Sequence, residues 1–356
     1  MKFINKDKSV FFTTLRGRVN DYFAENDISR YGNREMVTKS VILIGIYLGA
    51  YLSVYFLSWP AYYFIPLALV MGVAKAGIGM TVMHDALHGS YSKNAFINKL
   101  MGNSIYLLGA NASVWKIQHN LHHHTYTNIH GKDEDINTKV VIRLSKHAPQ
   151  KAFHAYQHVY VWFLYGLMTL LMFSNDFYKL LGYHKAGELK SKHSIDREYL
   201  SLLGLKALYV FFMLILPALL TSLLWWQVLI GFLIMHLTAG FILSTIFQMA
   251  HIVEGTEQPL PNEDGNMENE WAIHQLMTTA NFARNNRVLN WFIGGLNYQI
   301  EHHLFPNICH VHYRNISKIV EKTAAEFQLP YNVKPTFRNA ILSHMKALKT
   351  LGSSPV

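Results

Sequence analysis

Three short segments carry histidines at spacings that suit a metal site. Within each segment the residues lie one, three or four positions apart, so they share one face of an α-helix. A buried imidazole needs a hydrogen-bond partner or a metal, and no packing requirement explains a pattern that is repeated. The residues are His84 and His88; His119, His122 and His123; and Gln299, His302 and His303, with His251 alone after an apolar stretch.

The number of imidazoles limits the choice of metal. Neutral imidazole suits zinc, copper, iron and nickel, but zinc normally takes three or four protein ligands, so this set is too large for one ion. The Glu-x-x-His pairs of carboxylate-rich di-iron bundles do not occur at these clusters. We therefore expect two ions with imidazole ligands and open positions. A pair of irons that uses dioxygen is the interpretation that remains.

Not every residue near these clusters is expected to bind metal. On an α-helix, with about 100° per residue, His122 and His123 lie within about 60° of His119, whereas His124 lies about 140° away. We expect His124 to point away from the metal and, like nearby carboxylates, to support the ligands by holding ring nitrogens in one tautomer. The carboxylates are Asp85, Asp133, Asp135 and Glu301.

Apolar stretches predict that helices spanning a membrane position these clusters. The chain is 51% hydrophobic and only 15% charged, against about 25% charged residues in soluble domains. Two long stretches contain no Asp, Glu, Lys or Arg, and each is divided once near aromatic residues. A membrane span needs about 20 apolar residues. The predicted spans are about 41–58, 61–83, 207–226 and 228–252.

The charges predict how the spans are oriented. Every Lys or Arg except Lys75 lies outside the spans and their short outer connections, so the positive-inside rule places both termini in the cytoplasm. We predict one all-α integral membrane domain over 1–356, with four transmembrane helices in two hairpins, in the cytoplasmic membrane of a bacterium. Its cytoplasmic parts are the N-terminus 1–39 and a helical cap, 84–206 and 253–356, that holds the histidine-rich di-iron site.

Three further features bear on the membrane prediction. Phe11, Leu15, Val19 and Tyr22 fall at helical spacing and predict an amphipathic helix lying on the membrane. Lys75 lies inside a predicted span, where it either reaches toward the headgroups or lines an internal polar cavity. The net charge of +10 indicates a membrane surface rather than nucleic acid, because no basic run has interleaved aromatic residues.

The single cysteine, Cys309, permits no intramolecular disulfide.

The histidine segments resemble the membrane fatty acyl desaturase superfamily, whose pattern is H-x(3,4)-H, H-x-x-H-H and [HQ]-x-x-H-H. The glutamine in the third segment resembles the front-end branch of delta-5 and delta-6 acyl desaturases, which act between an existing double bond and the carboxyl end. The resemblance covers nearly the whole chain. The matching stretches are HDALHGSYS (84–92), WKIQHNLHHHTYTN (115–128), GKDEDI (131–136) and NYQIEHHLFP (297–306).

The resemblance implies a ligand set, a cofactor and partners. It implies two iron ions (Fe2+/Fe3+), no heme or flavin in this chain, and formation of a cis double bond in a long fatty acyl chain carried on CoA or a lipid. Because no His-Pro-Gly-Gly heme motif occurs in these residues, it also implies two electrons from a separate donor, a ferredoxin or cytochrome b5. The matching ligands are His84, His88, His119, His122, His123, His302 and His303, with Gln299 at a histidine position and His251 as an additional ligand.

Other functions remain open on the sequence alone. A lipid hydroxylase or other oxygenase, or a sphingolipid desaturase, of the same superfamily would use the same metals. A membrane heme or metal-transport protein is an alternative of a different class. Transport predicts ligands inside several spans, whereas only His236 lies deep in one. The basic segment 93–206 suits docking of an acidic electron carrier or of the substrate headgroup, and equally suits a surface that faces lipid.

Overall fold

The computed structural model describes residues 1–5, 7–56, 61–138, 140–189 and 194–353. Within them the α-helices are α1 (Phe11–Glu25), α2 (Arg34–Phe56), α3 (Phe64–Ile78), α4 (His84–His88), α5 (Ala95–Gly102), α6 (Ala112–Trp115), α7 (His124–Tyr126), α8 (Gln157–Gly166), α9 (Met168–Lys185), α10 (Ile195–Val210), α11 (Leu216–Leu220), α12 (Trp225–His251), α13 (Trp271–Thr278), α14 (Arg287–Phe292), α15 (Gln299–Leu304), α16 (Tyr313–Glu326) and α17 (Phe337–Ser353). Segments Gly79–Met83, Lys116–His123 and Phe211–Ile215 are π-helical, and Ala61–Tyr63, Asn103–Leu108, Ala152–Tyr156 and His310–His312 are 3-10 turns. Two short strands, β1 (Asn281–Phe282) and β2 (Val333–Lys334), pair in parallel.

Four of the described helical stretches are long and apolar enough to span a membrane, as the sequence predicts. Two of these helices begin before the predicted spans, the first at Arg34 and the third at Ile195. At both starts polar and charged residues continue the helix beyond its apolar part, and hydropathy alone does not count them. Residues 57 and 58 of the first predicted span lie outside the described residues. The observed stretches are Arg34–Phe56, Phe64–His88, Ile195–Leu220 and Trp225–His251.

The chain forms two compact units that alternate along the sequence. Unit 1 holds the second and third histidine segments, together with His251, and unit 2 holds His84, His88 and most of the four long helices. Unit 1 consists of Met1–Asn33, Gln118–Val161 and Ile246–Val356, and unit 2 of Arg34–Ile117 and Trp162–Thr245.

The N-terminal helix α1 belongs to the core of unit 1. Its apolar face, Phe11, Leu15, Val19 and Phe23, is buried against α13, α15 and α16. The prediction that this face lies on a membrane is therefore wrong. The spacing of apolar residues is the same for a helix that packs on protein and for one that packs on lipid, so the pattern could not distinguish the two.

In unit 2, helix α12 crosses α8 at a pair of glycines. A Cβ atom at Gly240 would collide with the carbonyl oxygen of Gly166. Without side chains the two backbones approach closely, which is a common way of packing helices in membranes.

Lys75 is buried completely in unit 2 and does not reach toward headgroups. Its Nζ donates to Tyr209 Oη at 2.9 Å and lies 3.2 Å from Nε2 of His236. The other ring nitrogen of His236 lies 2.9 Å from Thr169 Oγ1. Of the two predicted environments for Lys75, the internal polar one is correct, since hydrogen-bonding groups from neighbouring helices satisfy the amine.

Candidate metal centre

The second histidine segment is held in a π-helix, Lys116–His123, which continues directly into α7. A π-helix is closed by i→i+5 hydrogen bonds and therefore has more residues per turn than an α-helix. Positions i+4 and i+5 then lie nearest to residue i, and position i+3 is rotated away. Counted from His119, the residues brought onto one face are His123 and His124, and the residue turned away is His122.

The contacts agree with this rotation. The His124 ring is buried, and its centroid lies 4.7 Å from that of His119, 4.6 Å from His302 and 4.4 Å from His303. The prediction that His124 points away is therefore wrong. His122 is partly exposed, and its Nδ1 donates to the Glu134 carboxylate at 2.8 Å. The error came from using α-helical geometry for a π-helix.

Three imidazoles of unit 1 form a compact triangle. The ring centroids of His123 and His251 lie 4.6 Å apart, and His303 lies 4.9 Å from each of them. One ring nitrogen from each lies within 4.8 Å of the other two. Among the described residues the Nε2 atoms of all three have no hydrogen-bond partner, although all are buried. Three unsatisfied nitrogens this close together suit one metal ion.

Three further imidazoles of unit 1 continue this cluster. The rings of His119 and His302 are stacked with their centroids 6.0 Å apart, and His124 Nε2 lies 3.3 Å from His119 Nε2. The His124 ring also stacks on that of His303. It therefore joins the pair of His119 and His302 to the triangle of imidazoles. Six buried imidazoles therefore lie side by side in unit 1: His119, His123, His124, His251, His302 and His303.

In four of these rings the nitrogen opposite Nε2 is held by the protein. Asp133 accepts from Nδ1 of His123 at 3.2 Å, and Asp135 lies 3.3 Å from the same atom, which is the supporting role that the sequence predicts for both. Gln275 Oε1 accepts from Nδ1 of His303 at 2.9 Å. Such contacts keep the proton on Nδ1 and leave the Nε2 lone pair for a metal. Two more partners are Tyr313 Oη, 3.1 Å from Nδ1 of His302, and Thr278 O, 3.4 Å from Nδ1 of His251.

These partners also set the electrostatics of the cluster. Burial lowers the pKa of His123, but the Asp133 and Asp135 carboxylates outweigh burial and raise that pKa to about 9. Burial and the neighbouring imidazoles, first of all His124, hold the pKa of His303 well below its usual range. His303 is therefore neutral, the form in which imidazole binds a metal. At His123 the two carboxylates offset the positive charge that a metal brings.

Glu301 supports the third segment in a different way from the one predicted. Its buried carboxylate accepts from Asn281 Nδ2 at 2.8 Å and from Tyr331 Oη at 2.7 Å, rather than from a ring nitrogen. Asn281 Oδ1 in turn accepts from the backbone N–H of Ile300. These bonds fix the backbone of α15. Gln299, at the start of the same helix, is buried, and its Nε2 has no hydrogen-bond partner among the described residues.

Unit 2 carries the first histidine segment at the end of its second long helix. The rings of His84 and His88 meet edge to face at 4.7 Å, and both contact Trp115 in the same manner, at 5.8 and 5.7 Å. A π-helix, Gly79–Met83, immediately precedes them. Asp85 is buried, and its Oδ1 lies 3.8 Å from Nδ1 of His84, which is too long for a hydrogen bond.

The model of one protein family, fatty acid desaturase, matches residues 57–335. The chain belongs to the fatty acid desaturase family. It is 37% identical over 98% of its length to the sn-1 linoleoyl-lipid 6-desaturase of Synechocystis, of which it covers 97%. It is also 36% identical over 99% of its length to an acyl-lipid (8-3)-desaturase of Physcomitrium patens and 33% identical over 98% to one of Mortierella alpina, covering 74% and 79% of those proteins.

These matches confirm the family and the class of enzyme, an oxidoreductase, that the sequence predicts. The partners Gln275, Tyr313 and Glu134 were missed. They lie outside the histidine segments, and no spacing in the sequence connects Gln275 or Tyr313 to the ring that it contacts. The acidic stretch that contains Asp133 and Asp135 was the only signal, and Glu134 is part of it.

Proposed function

We propose that this protein is a front-end acyl-lipid desaturase, which introduces a cis double bond between an existing double bond and the carboxyl end of a lipid-linked acyl chain. The observation that carries the proposal is the cluster of six buried imidazoles in unit 1, in which the Nε2 atoms of His123, His251 and His303 converge. The names of the similar proteins support the substrate class, since they act on acyl lipids at the 6-position or with (8-3) regioselectivity.

The donor set fits iron. The rings offer neutral nitrogen, and their number exceeds what one ion takes. We assign two iron ions (Fe2+/Fe3+) to the six buried imidazoles of unit 1, with His124 in the ligand position predicted for His122; His84 and His88 remain ligands predicted from the resemblance. A half-turn of the buried Gln299 amide would present its oxygen as a further neutral ligand. When bound, the irons activate dioxygen so that it can remove hydrogen from methylene groups, which no side-chain base could deprotonate.

The chain's own residues prepare this reaction. Asp133 and Gln275 accept from Nδ1 of His123 and His303, so each ring would keep its Nδ1 proton while Nε2 binds metal. Burial of the six rings excludes water from the ligand side of the site. In the overall balance, dioxygen accepts two hydrogen atoms from the acyl chain, two electrons and two protons, which gives one double bond and two water molecules. The two electrons come from a separate donor protein.

We also propose the arrangement in the membrane. The four long apolar helices form two hairpins, the histidine sites lie on the cytoplasmic side, and the membrane is the cytoplasmic membrane of a bacterium. The confinement of Lys and Arg, apart from Lys75, to segments outside the predicted spans supports this orientation. Two of the similar proteins, from Synechocystis and Arthrospira platensis, are bacterial.

Expression in a host that lacks polyunsaturated lipids tests the function. Fed with linoleate, the host should accumulate a lipid acyl chain that has lost two hydrogen atoms, with the new double bond located by mass spectrometry on the carboxyl side. His302→Ala should abolish the product, while His184→Ala, at an exposed position, should not. A product that retains an oxygen atom would identify a hydroxylase instead. No new unsaturation in the presence of a competent donor, or a Soret band in the purified protein, would refute the proposal.

A further inference from the structure

Helix α16 has one face in the core of unit 1 that reaches the histidine cluster. Tyr313, Ile316 and Val320 on this face are buried in the same core as α1 and α15. Tyr313 is the first residue of the helix, and its hydroxyl lies 3.1 Å from Nδ1 of His302. One side of α16 therefore contacts an imidazole that we assign to the metal centre.

The opposite face of α16 carries a row of positive charges. Arg314, Lys318 and Lys322 follow each other at intervals of four residues, and all three are exposed; we call them the basic stripe. The acidic side chains of the helix do not cancel these charges, because Glu321 and Glu326 are paired with Arg284 and Arg18 at 2.9 and 2.6 Å. The ion pairs add two further arginines to the same region, so its net charge is positive.

We propose that the basic stripe docks an acidic one-electron carrier protein and that the electrons enter the metal centre beside Tyr313 and His302. The inference rests on the proposed function, which requires two external electrons per double bond. A one-electron carrier must bind and leave twice in each turnover. Such a partner is better served by electrostatic attraction, which speeds association, than by a large apolar interface that slows release.

The position of the stripe favours electron entry at this point. Tyr313 and Arg314 are consecutive residues of α16, about 100° apart around the helix axis, so a protein that docks on Arg314 lies next to the turn in which Tyr313 contacts His302. Each reduced carrier molecule would deliver one electron and depart oxidised, and the second encounter would complete the pair. The stripe lies outside 93–206, the basic segment for which the sequence left docking open.

The test compares two sets of three substitutions with the same change of charge. The stripe variant carries Arg314→Gln, Lys318→Gln and Lys322→Gln. The control carries Arg338→Gln, Lys346→Gln and Lys349→Gln on α17, where these side chains are also exposed. Desaturation by the full-length protein is driven in parallel by a reduced acidic [2Fe–2S] ferredoxin and by dithionite with methyl viologen. The Kd of the oxidised ferredoxin is measured by calorimetry, independently of turnover.

We expect the stripe variant to lower the ratio of the ferredoxin-driven rate to the viologen-driven rate at least tenfold at low ionic strength, and to raise the Kd of ferredoxin at least tenfold. Its ferredoxin-driven rate should also depend less on salt, and the control should keep the ratio and the Kd of the unaltered protein. An unchanged Kd, or equal losses in both variants, would overturn the inference. So would a loss confined to vesicles with anionic lipid, since it would mean that the stripe binds headgroups. Absence of desaturation with viologen in the unaltered protein would refute the proposed function, and the Kd would still decide the docking.

Discussion

Replacing His124 and His122 separately tests the π-helix and the ligand set together. His124→Ala removes a buried ring whose centroid lies 4.4 to 4.7 Å from those of three other imidazoles. The loss of a residue that only supports a ligand already lowers metal affinity by about 10- to 100-fold. Loss of the ligand itself should exceed that, which corresponds to at least about 3 kcal/mol. We expect His124→Ala to bind at most one iron per chain and to be inactive.

The paired variant, His122→Ala, should have a small effect. It removes the contact of Nδ1 with Glu134, but the His122 side chain is 15% exposed and that of Glu134 26%. An ion pair that is partly solvated contributes about 1 kcal/mol or less. His122→Ala should therefore keep its iron and most of its activity, with a thermal midpoint only slightly lowered.

The assay is the iron content of identically purified proteins, measured by plasma mass spectrometry, together with desaturation of a fed acyl chain. His124→Leu, which preserves much of the side-chain volume and offers no ligand atom, separates loss of a ligand from loss of packing, since it should also lose iron but melt closer to the unaltered protein. If His122→Ala loses iron and His124→Ala retains it, the rings point as they would on an α-helix, and the assignment of His124 as the ligand is wrong. Equal loss from both folded variants would refute the assigned rotation as well.

Four further substitutions test the packing of the two units and the pH dependence of their stability. Leu15→Ala should lower the free energy of unfolding by about 2–4 kcal/mol, because α1 packs on protein; a helix lying on lipid would show almost no change in a thermal melt. Lys75→Met should cost about 1 kcal/mol or less, since Tyr209 and His236 still bond at 2.8 Å. His236→Leu removes the ring that Tyr209, Lys75 and Thr169 all contact and should cost at least about 2 kcal/mol in the same melt. Burial lowers the pKa of His344 to about 4, so between pH 6.5 and 4 the unfolded state binds a proton that the folded state does not. The free energy of unfolding therefore decreases as the pH is lowered through this range. His344→Gln should reduce the decrease between pH 7 and pH 5 by about 2 kcal/mol.

The membrane helices and the third histidine segment could be predicted from the sequence because each depends on local chemistry. In lipid, a single uninterrupted apolar segment can satisfy its backbone N–H and C=O groups only as a helix. All four predicted spans have a helix at their centre. Gln299, His302 and His303 indeed fall on a short helix, α15. Composition alone does not show where polar residues continue such a helix, and this is why the starts at Arg34 and Ile195 were missed.

The parts that could not be predicted depend on contacts between distant residues. Ring partners such as Gln275 and Tyr313 are brought to the histidines by tertiary structure. The π-helix Lys116–His123 has no sequence signature of its own, since its extra residue per turn is tolerated only where the surroundings compensate for poorer backbone geometry. The spacing of His119, His122, His123 and His124 is compatible with both an α-helix and a π-helix, and the prediction used only the α-helix.

The three converging ring nitrogens could hold a metal ion, and their burial makes such binding favourable for the folded protein. A buried polar atom left without a partner costs about 1–3 kcal/mol, so the three Nε2 atoms of His123, His251 and His303 together cost about 3–9 kcal/mol. That is comparable to the entire net stability of a typical domain, about 5–15 kcal/mol. The carboxylate of Asp133 and the amide of Gln275 hold the opposite ring nitrogens and prevent the rings from rotating toward other partners. A cation bound by all three lone pairs removes the cost at once, and it therefore couples the stability of unit 1 to the chemistry that the centre performs.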